Sequence, residues 1–135
     1  MARPLVLACL ALLAAVPLAC GGGGNDEEDI KKVVREFIKA TNERDADKWC
    51  GELVTDEFRQ QVTGATGDRA KDSCRQLLEA QRGSSVEVIN TGSVKVDGDE
   101  ATARVTLERQ GQRMPRLFRL EKEDGDWRLA SDAGS

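Results

Sequence analysis

After Ser85 the spacing of apolar side chains changes from the 3.6-residue period of a helix to the two-residue period of a strand. That switch restricts the chain to helices first and sheet second. Upstream, Ile30, Val33, Val34, Phe37, Ile38 and Thr41 form one apolar stripe over about four turns. The acidic run Asp26 to Asp29 precedes it, negative charge placed where a helix dipole is positive. Glu27 with Lys31 and Glu28 with Lys32 are spaced as i,i+4 pairs. The spacing predicts a helix ending near Asn42. Asp45 is the expected cap of a shorter helix with Ala46, Trp49, Cys50, Leu53 and Val54 on its buried side. Thr55 to Phe58 is read as a further turn and Thr63 to Gly67 as a loop. Asp68 is the expected cap of a third helix, with Ala70, Cys74, Leu77, Leu78 and Gln81 on one face and Gly83 as its stop.

Downstream, Val86, Val88 and Asn90 alternate with Glu87, Ile89 and Thr91, and Gly92 marks an expected bulge or bend before Ser93 to Val96. Asp97-Gly98, Gln110-Gly111 and Asp124-Gly125 are hairpin signals. Between them Ala101, Ala103, Val105 and Leu107 face one way, and so do Met114, Phe118 and Leu120, with Arg116 intruding. Trp127 and Leu129 begin the last strand. Pro115 cannot donate to a ladder, so its strand is expected at an edge or to start irregularly. Helices followed by hairpin-linked strands give an α+β domain, the helices packed on one face of a curved antiparallel sheet of about four to five strands. No repeat and no second apolar system is visible, so residues 28–132 read as a single domain.

Residues 1–19 have the layout of an export signal. Arg3 and the amine are positive, Leu5 to Val16 is apolar, and Pro17-Leu18-Ala19 leads into Cys20. The apolar stretch is too short for a membrane span. A cysteine at that place resembles the lipobox of bacterial lipoproteins, which implies cleavage after Ala19 and acylation of Cys20. Two or more acyl chains would hold the protein to a membrane stably. Pro17 departs from the family's leucine at that position, and ordinary signal-peptidase cleavage with release is the alternative. Cys9 reads as a small apolar member of the leader. Residues 20–27, with Gly21 to Gly24, read as a lipidated cysteine and flexible tether.

The chain has 24 Asp and Glu against 20 Lys and Arg, a net charge of −4, one unit more negative once Arg3 leaves. Such a chain is a poor partner for nucleic acid, which requires clustered positive charge. Any membrane attachment should come from lipid. Processing leaves Cys50 and Cys74, an even pair that reads as a disulfide in an oxidising compartment or as two buried thiols. With two cysteines and no histidine, a usual zinc shell cannot be completed, and no cofactor motif is present.

The run Val33 to Ala40, the break Glu43-Arg44-Asp45-Ala46-Asp47 with Lys48-Trp49-Cys50, the stretch Val96 to Ala103 and the closing Leu120 to Leu129 together resemble the nuclear transport factor 2-like superfamily over roughly residues 28 to 131. The resemblance implies a sheet curled around a pocket that the helices close. Its members include isomerases, dehydratases and cyclases, and many domains that only bind or assemble. Enzymes of this type resemble one another in using His, Tyr or a buried Asp, and this chain has neither histidine nor tyrosine. Asp45, Asp47 and Asp56 lie near the helix break that borders the pocket in the family. They read as a cap and solvated surface, without a partner of shifted pKa. Ser73 has no base beside it. Arg109, Arg113, Arg116 and Arg119 form a local basic patch that could take an acidic partner, but neighbouring Glu108, Glu121 and Glu123 favour a charge-balanced face. Trp49 and Trp127 lie on apolar stripes and read as core. No catalytic residue is assigned. The expected role is that of an envelope lipoprotein whose domain binds a small apolar ligand or an envelope protein. The alternatives are an isomerase or dehydratase using a pocket carboxylate, and a structural domain that dimerises through its sheet.

Overall fold

A computed structural model describes residues 23–134. The expected export signal, Cys20 and the start of the tether lie outside the described residues. The elements are α1 (Gly23–Glu43), α2 (Ala46–Lys48), a π-helical turn (Trp49–Leu53), α3 (Asp56–Thr63), α4 (Gly67–Ala80), β1 (Glu87–Asp97), β2 (Glu100–Arg109), β3 (Gln112–Glu123) and β4 (Asp126–Gly134). The four strands form one antiparallel sheet in the order β1-β2-β3-β4. Among the described residues, no helix is long and apolar enough to cross a membrane.

The stripe of α1 folds as its spacing dictates: Ile30, Val34, Phe37 and Ile38 are buried. They meet Ala101, Ala103, Val105 and Leu107 from β2, Phe118 and Leu120 from β3, and Trp127 and Leu129 from β4 in one core. The helix starts earlier than the expected tether allows, because Gly23 and Gly24 already belong to it. Its first turn is tied to the sheet. Trp127 donates its indole N–H to Asp26 (3.1 Å), and Lys122 pairs with the same carboxylate (3.2 Å). Those two contacts hold the Asp26 carboxyl below the usual carboxylate range, the indole hydrogen bond contributing most. On the wet side Lys31 pairs with Glu27 as expected, but Glu28 also turns to Lys31.

Asp45 caps α2 by accepting from the Lys48 N–H, and Thr55 caps α3 by accepting from the Phe58 N–H. The single second helix expected from the sequence is instead one α turn followed by a π turn. Val54 then extends to bridge Leu129 on β4. A π turn leaves carbonyls without close helical donors, and two arginines supply them. Buried Arg59 donates to the Cys50 and Val54 carbonyls, and Arg128 donates to that of Gly51 (3.2 Å). Asp68 does not cap α4. The helix opens at Gly67, and Asp68 sits in its first turn, where its charge suits the dipole. Nor does Gly83 end that helix, which stops at Ala80 as Gln81 turns extended.

Cys50 and Cys74 form a disulfide (Sγ–Sγ 2.03 Å, Cα–Cα 6.0 Å), joining the π turn to α4. Ser93 to Val96 is not a separate strand, since β1 runs through Gly92 with a register shift between Thr91 and Val94. At Gly92 a Cβ would lie 3.3 Å from the Arg104 carbonyl, so the bulge brings the two backbones close where only glycine fits freely. A second irregularity falls at Ile89. Pro115 lies one residue beyond the last β3–β4 partner, Arg116 opposite Gly134. It therefore occupies the part of an otherwise central strand that β4 no longer covers.

Asn42 joins α1 to the sheet. Its side chain donates to the Val86 carbonyl (2.7 Å) and accepts from the Val86 N–H (2.9 Å), imitating a strand partner. Asn42→Ala removes both bonds and is expected to cost about 1–2 kcal/mol. Amide exchange should rise first around Val86 and Val88, which urea unfolding with hydrogen-exchange mapping would read.

Candidate functional site

At the α1 C-terminal end the helices stand off the sheet and leave an open cleft of about 380 Å³. Its walls come from α1 (Phe37, Thr41), the π turn (Trp49), α3 (Phe58, Val62) and α4 (Leu77, Leu78). Arg109 at the end of β2 and Asp132 on β4 complete it. An aromatic chain leads from the core to this mouth. Phe118 meets Phe37 edge-on at 5.9 Å, Phe37 meets Trp49 at 5.3 Å, and Trp49 meets Phe58 at 5.8 Å. The Trp49 indole N–H is satisfied by the Thr41 hydroxyl (3.1 Å), itself donating to the Phe37 carbonyl (2.7 Å), so the ring presents an apolar surface. Val62 and Leu77 are 42% and 50% exposed on its rim.

The spacing of the sequence puts Leu77 on the buried stripe of α4. It is displaced to the rim because α4 packs on α3 and the π turn through Ala70, Cys74 and Leu78. Trp49 is half-buried and faces the cleft, whereas Trp127 is buried in the core. None of Asp45, Asp47 and Asp56 lines the cleft. Asp45 is a cap, Asp47 pairs with Arg75 (2.6 Å), and Asp56 pairs with Arg59.

The carboxylate that does line the cleft is Asp132, which no sequence motif singles out. It lies opposite Phe118 in the β3–β4 register, and opposed residues share a face of the sheet. Strict alternation from Trp127 and Leu129 would put Ser131, not Asp132, on that face; a register shift between Arg119 and Leu120 resets it. Burial pushes the Asp132 carboxyl up, and Arg116 at 3.8 Å opposes that shift. The folded protein thus holds this proton to higher pH than the unfolded chain. Its contribution to stability is present at low pH and is lost as pH rises out of the usual aspartate range. Asp132→Asn should therefore raise the melting temperature at pH 7, with the gain vanishing towards pH 3; thermal unfolding at the two pH values checks it.

Of the expected basic patch, Arg113, Arg116 and Arg119 are each paired with carboxylates on the sheet, as a charge-balanced face requires. Arg109 is not among those pairs and lies at the cleft. Among the described residues, no group of three or more Cys, Asp or Glu is placed to hold a metal ion.

No protein-family model and no curated protein matches the chain. Solved structures do. The function-unknown protein Rv3472 from Mycobacterium tuberculosis superposes with a TM-score of 0.54 at 20% identity, over 83% of this chain and 72% of that one. An NTF-2-like protein of unknown function from Silicibacter pomeroyi gives 0.52 at 17% identity, over 81% of this chain and 93% of that one. The fold is nuclear transport factor 2-like. The helices and curved antiparallel sheet of about four to five strands expected from the sequence are those of this fold, with four strands observed, and at these identities the likeness concerns fold alone.

Proposed function

We propose that this nuclear transport factor 2-like domain is a non-enzymatic binding module, held outside the cytoplasm by acylated Cys20, that takes a small apolar molecule in the Trp49 cleft. The observation that supports it most is the pairing of an aromatic wall with Val62 and Leu77, two large apolar side chains left half in water on facing helices. Exposed apolar surface lining a concavity of several hundred Å³ is the usual form of a small-molecule site. The Cys50–Cys74 disulfide supports an oxidising compartment. With the anchor at Cys20, three residues before α1, the Asp26 end would face the bilayer. Thr41 lies fifteen residues along α1 from Asp26, which separates the cleft from the anchored end by about 22 Å of helix.

The test is titration with the neutral apolar fluorophore N-phenyl-1-naphthylamine. Saturable one-to-one binding with a dissociation constant on the order of 10 μM is expected, weakened about tenfold or more by Leu77→Lys. Emission that never saturates, or is indifferent to Leu77→Lys, would contradict the proposal.

A second reading, an acid–base enzyme of isomerase or dehydratase type, is favoured by one observation: Asp132 stands in the cleft with its carboxyl pushed up by burial. Arg116 beside it favours the ionised form and so works against a neutral-pH acid.

A further inference from the structure

A second concavity of about 320 Å³ adjoins the apolar cleft and shares Thr41, Gln81 and Arg109 with it. Its charged lining is Arg44, Arg82 and Arg109, and no Asp or Glu contributes to it. Three elements converge there: the turn after α1, the segment after α4, and the end of β2. Among the described residues none of the three guanidinium groups is in an ion pair, while Arg113, Arg116 and Arg119 on β3 are each paired with a carboxylate. The dipoles at the ends of α1 and α4 favour a cation after each helix; Arg109, from a strand, has no such reason to be there.

Arg44 carries a further signal. It holds a left-handed backbone (φ 54°), with its N–H bonded to the Thr41 carbonyl and the Asp45 N–H bonded to that of Ala40. This is a helix stop at which glycine is favoured and a side chain is strained. The chain keeps a long cation at a position where its backbone would be better served by none.

Building on the binding role proposed above, we infer that the ligand is an anionic amphiphile, its carboxylate or phosphate head held by Arg44, Arg82 and Arg109 and its apolar chain laid against Trp49, Phe58, Val62 and Leu77. Guanidinium groups recognise both head groups through paired N–H donors. The shared Arg109 and Thr41 mark where head passes into tail. A ligand with either part alone would leave one concavity solvated.

The experiment is displacement of N-phenyl-1-naphthylamine from the purified protein by decanoate, by 1-decanol and by inorganic phosphate, below any micelle threshold. Decanoate is expected to bind on the order of tenfold or more tightly than decanol, with the advantage shrinking as salt rises. Arg82→Gln and Arg44→Gly, at residues that line the second concavity and not the apolar cleft, should each erode the decanoate advantage and leave decanol unchanged. Arg44→Gly should at the same time raise the melting temperature, a combination that a purely structural arginine would not give. Equal affinity for decanoate and decanol overturns the head-group site while leaving the apolar cleft standing. Failure of both to displace the fluorophore overturns the cleft and the head-group site together. Displacement by phosphate as effective as by decanoate overturns the amphiphile in favour of a free anion.

Discussion

Phe118→Ala is expected to destabilise the domain by about 3–5 kcal/mol, the range for emptying a buried aromatic site. Phe118 is fully buried at the centre of β3, with Ala103 opposite it on β2 and Phe37 edge-on above. Its neighbours Ala101 and Ala103 are too small to collapse into the vacated space, which places the loss at the upper end. Phe118→Leu keeps most of the volume and should cost clearly less. Guanidinium unfolding of both variants reads the difference; a loss for Phe118→Ala below about 1 kcal/mol would mean that α1 does not rest on β3 as described. The same substitution withdraws the floor beneath Phe37, Trp49 and Phe58, so apolar ligand affinity should fall with stability.

Replacing Cys50 and Cys74 together by alanine is expected to remove about 3 kcal/mol, from the loop-closure entropy of a 24-residue separation. Both sulfurs are buried, so alanine also leaves unfilled space between the π turn and α4. The effect should be local as well as global. The bridge closes the loop that contains α3, and the two helices bearing Val62 and Leu77 are held together across it. Amide exchange should therefore rise in α3 and α4 before the sheet, and fluorophore binding should weaken in parallel. Reductant on the unaltered protein should reproduce the shift; unchanged unfolding with and without reductant would contradict the account.

The sequence made the scaffold legible because its signals are periodic. The α1 stripe, the alternation of Ala101 to Leu107 and three turn dipeptides each repeat one message over many residues, and burial on one face enforces it. The π turn at Trp49–Leu53 was not legible, since a single extra residue in a turn leaves an i, i+3, i+4 pattern almost unchanged. Its consequence, Arg59 buried to feed the Cys50 and Val54 carbonyls, was hidden with it. Asp132 is invisible to alternation because its face depends on the β3–β4 register shift near Leu120. Leu77 reads as core because a stripe says which residues share a side, not how far the packing neighbour extends along it. The arginine cluster joins positions 44, 82 and 109, which only the tertiary fold brings to one concavity.

The most direct test of the cleft as the binding site is a heteronuclear NMR titration of the labelled protein with decanoate. The Trp49 indole N–H and the methyl groups of Val62 and Leu77 are expected to shift in a saturable, concerted way, together with the Arg109 side chain. Ile89 and Val96, equally apolar and exposed on β1, should stay where they are. Shifts centred on Ile89 and Val96, with Trp49 and Leu77 unmoved, would contradict binding in the cleft.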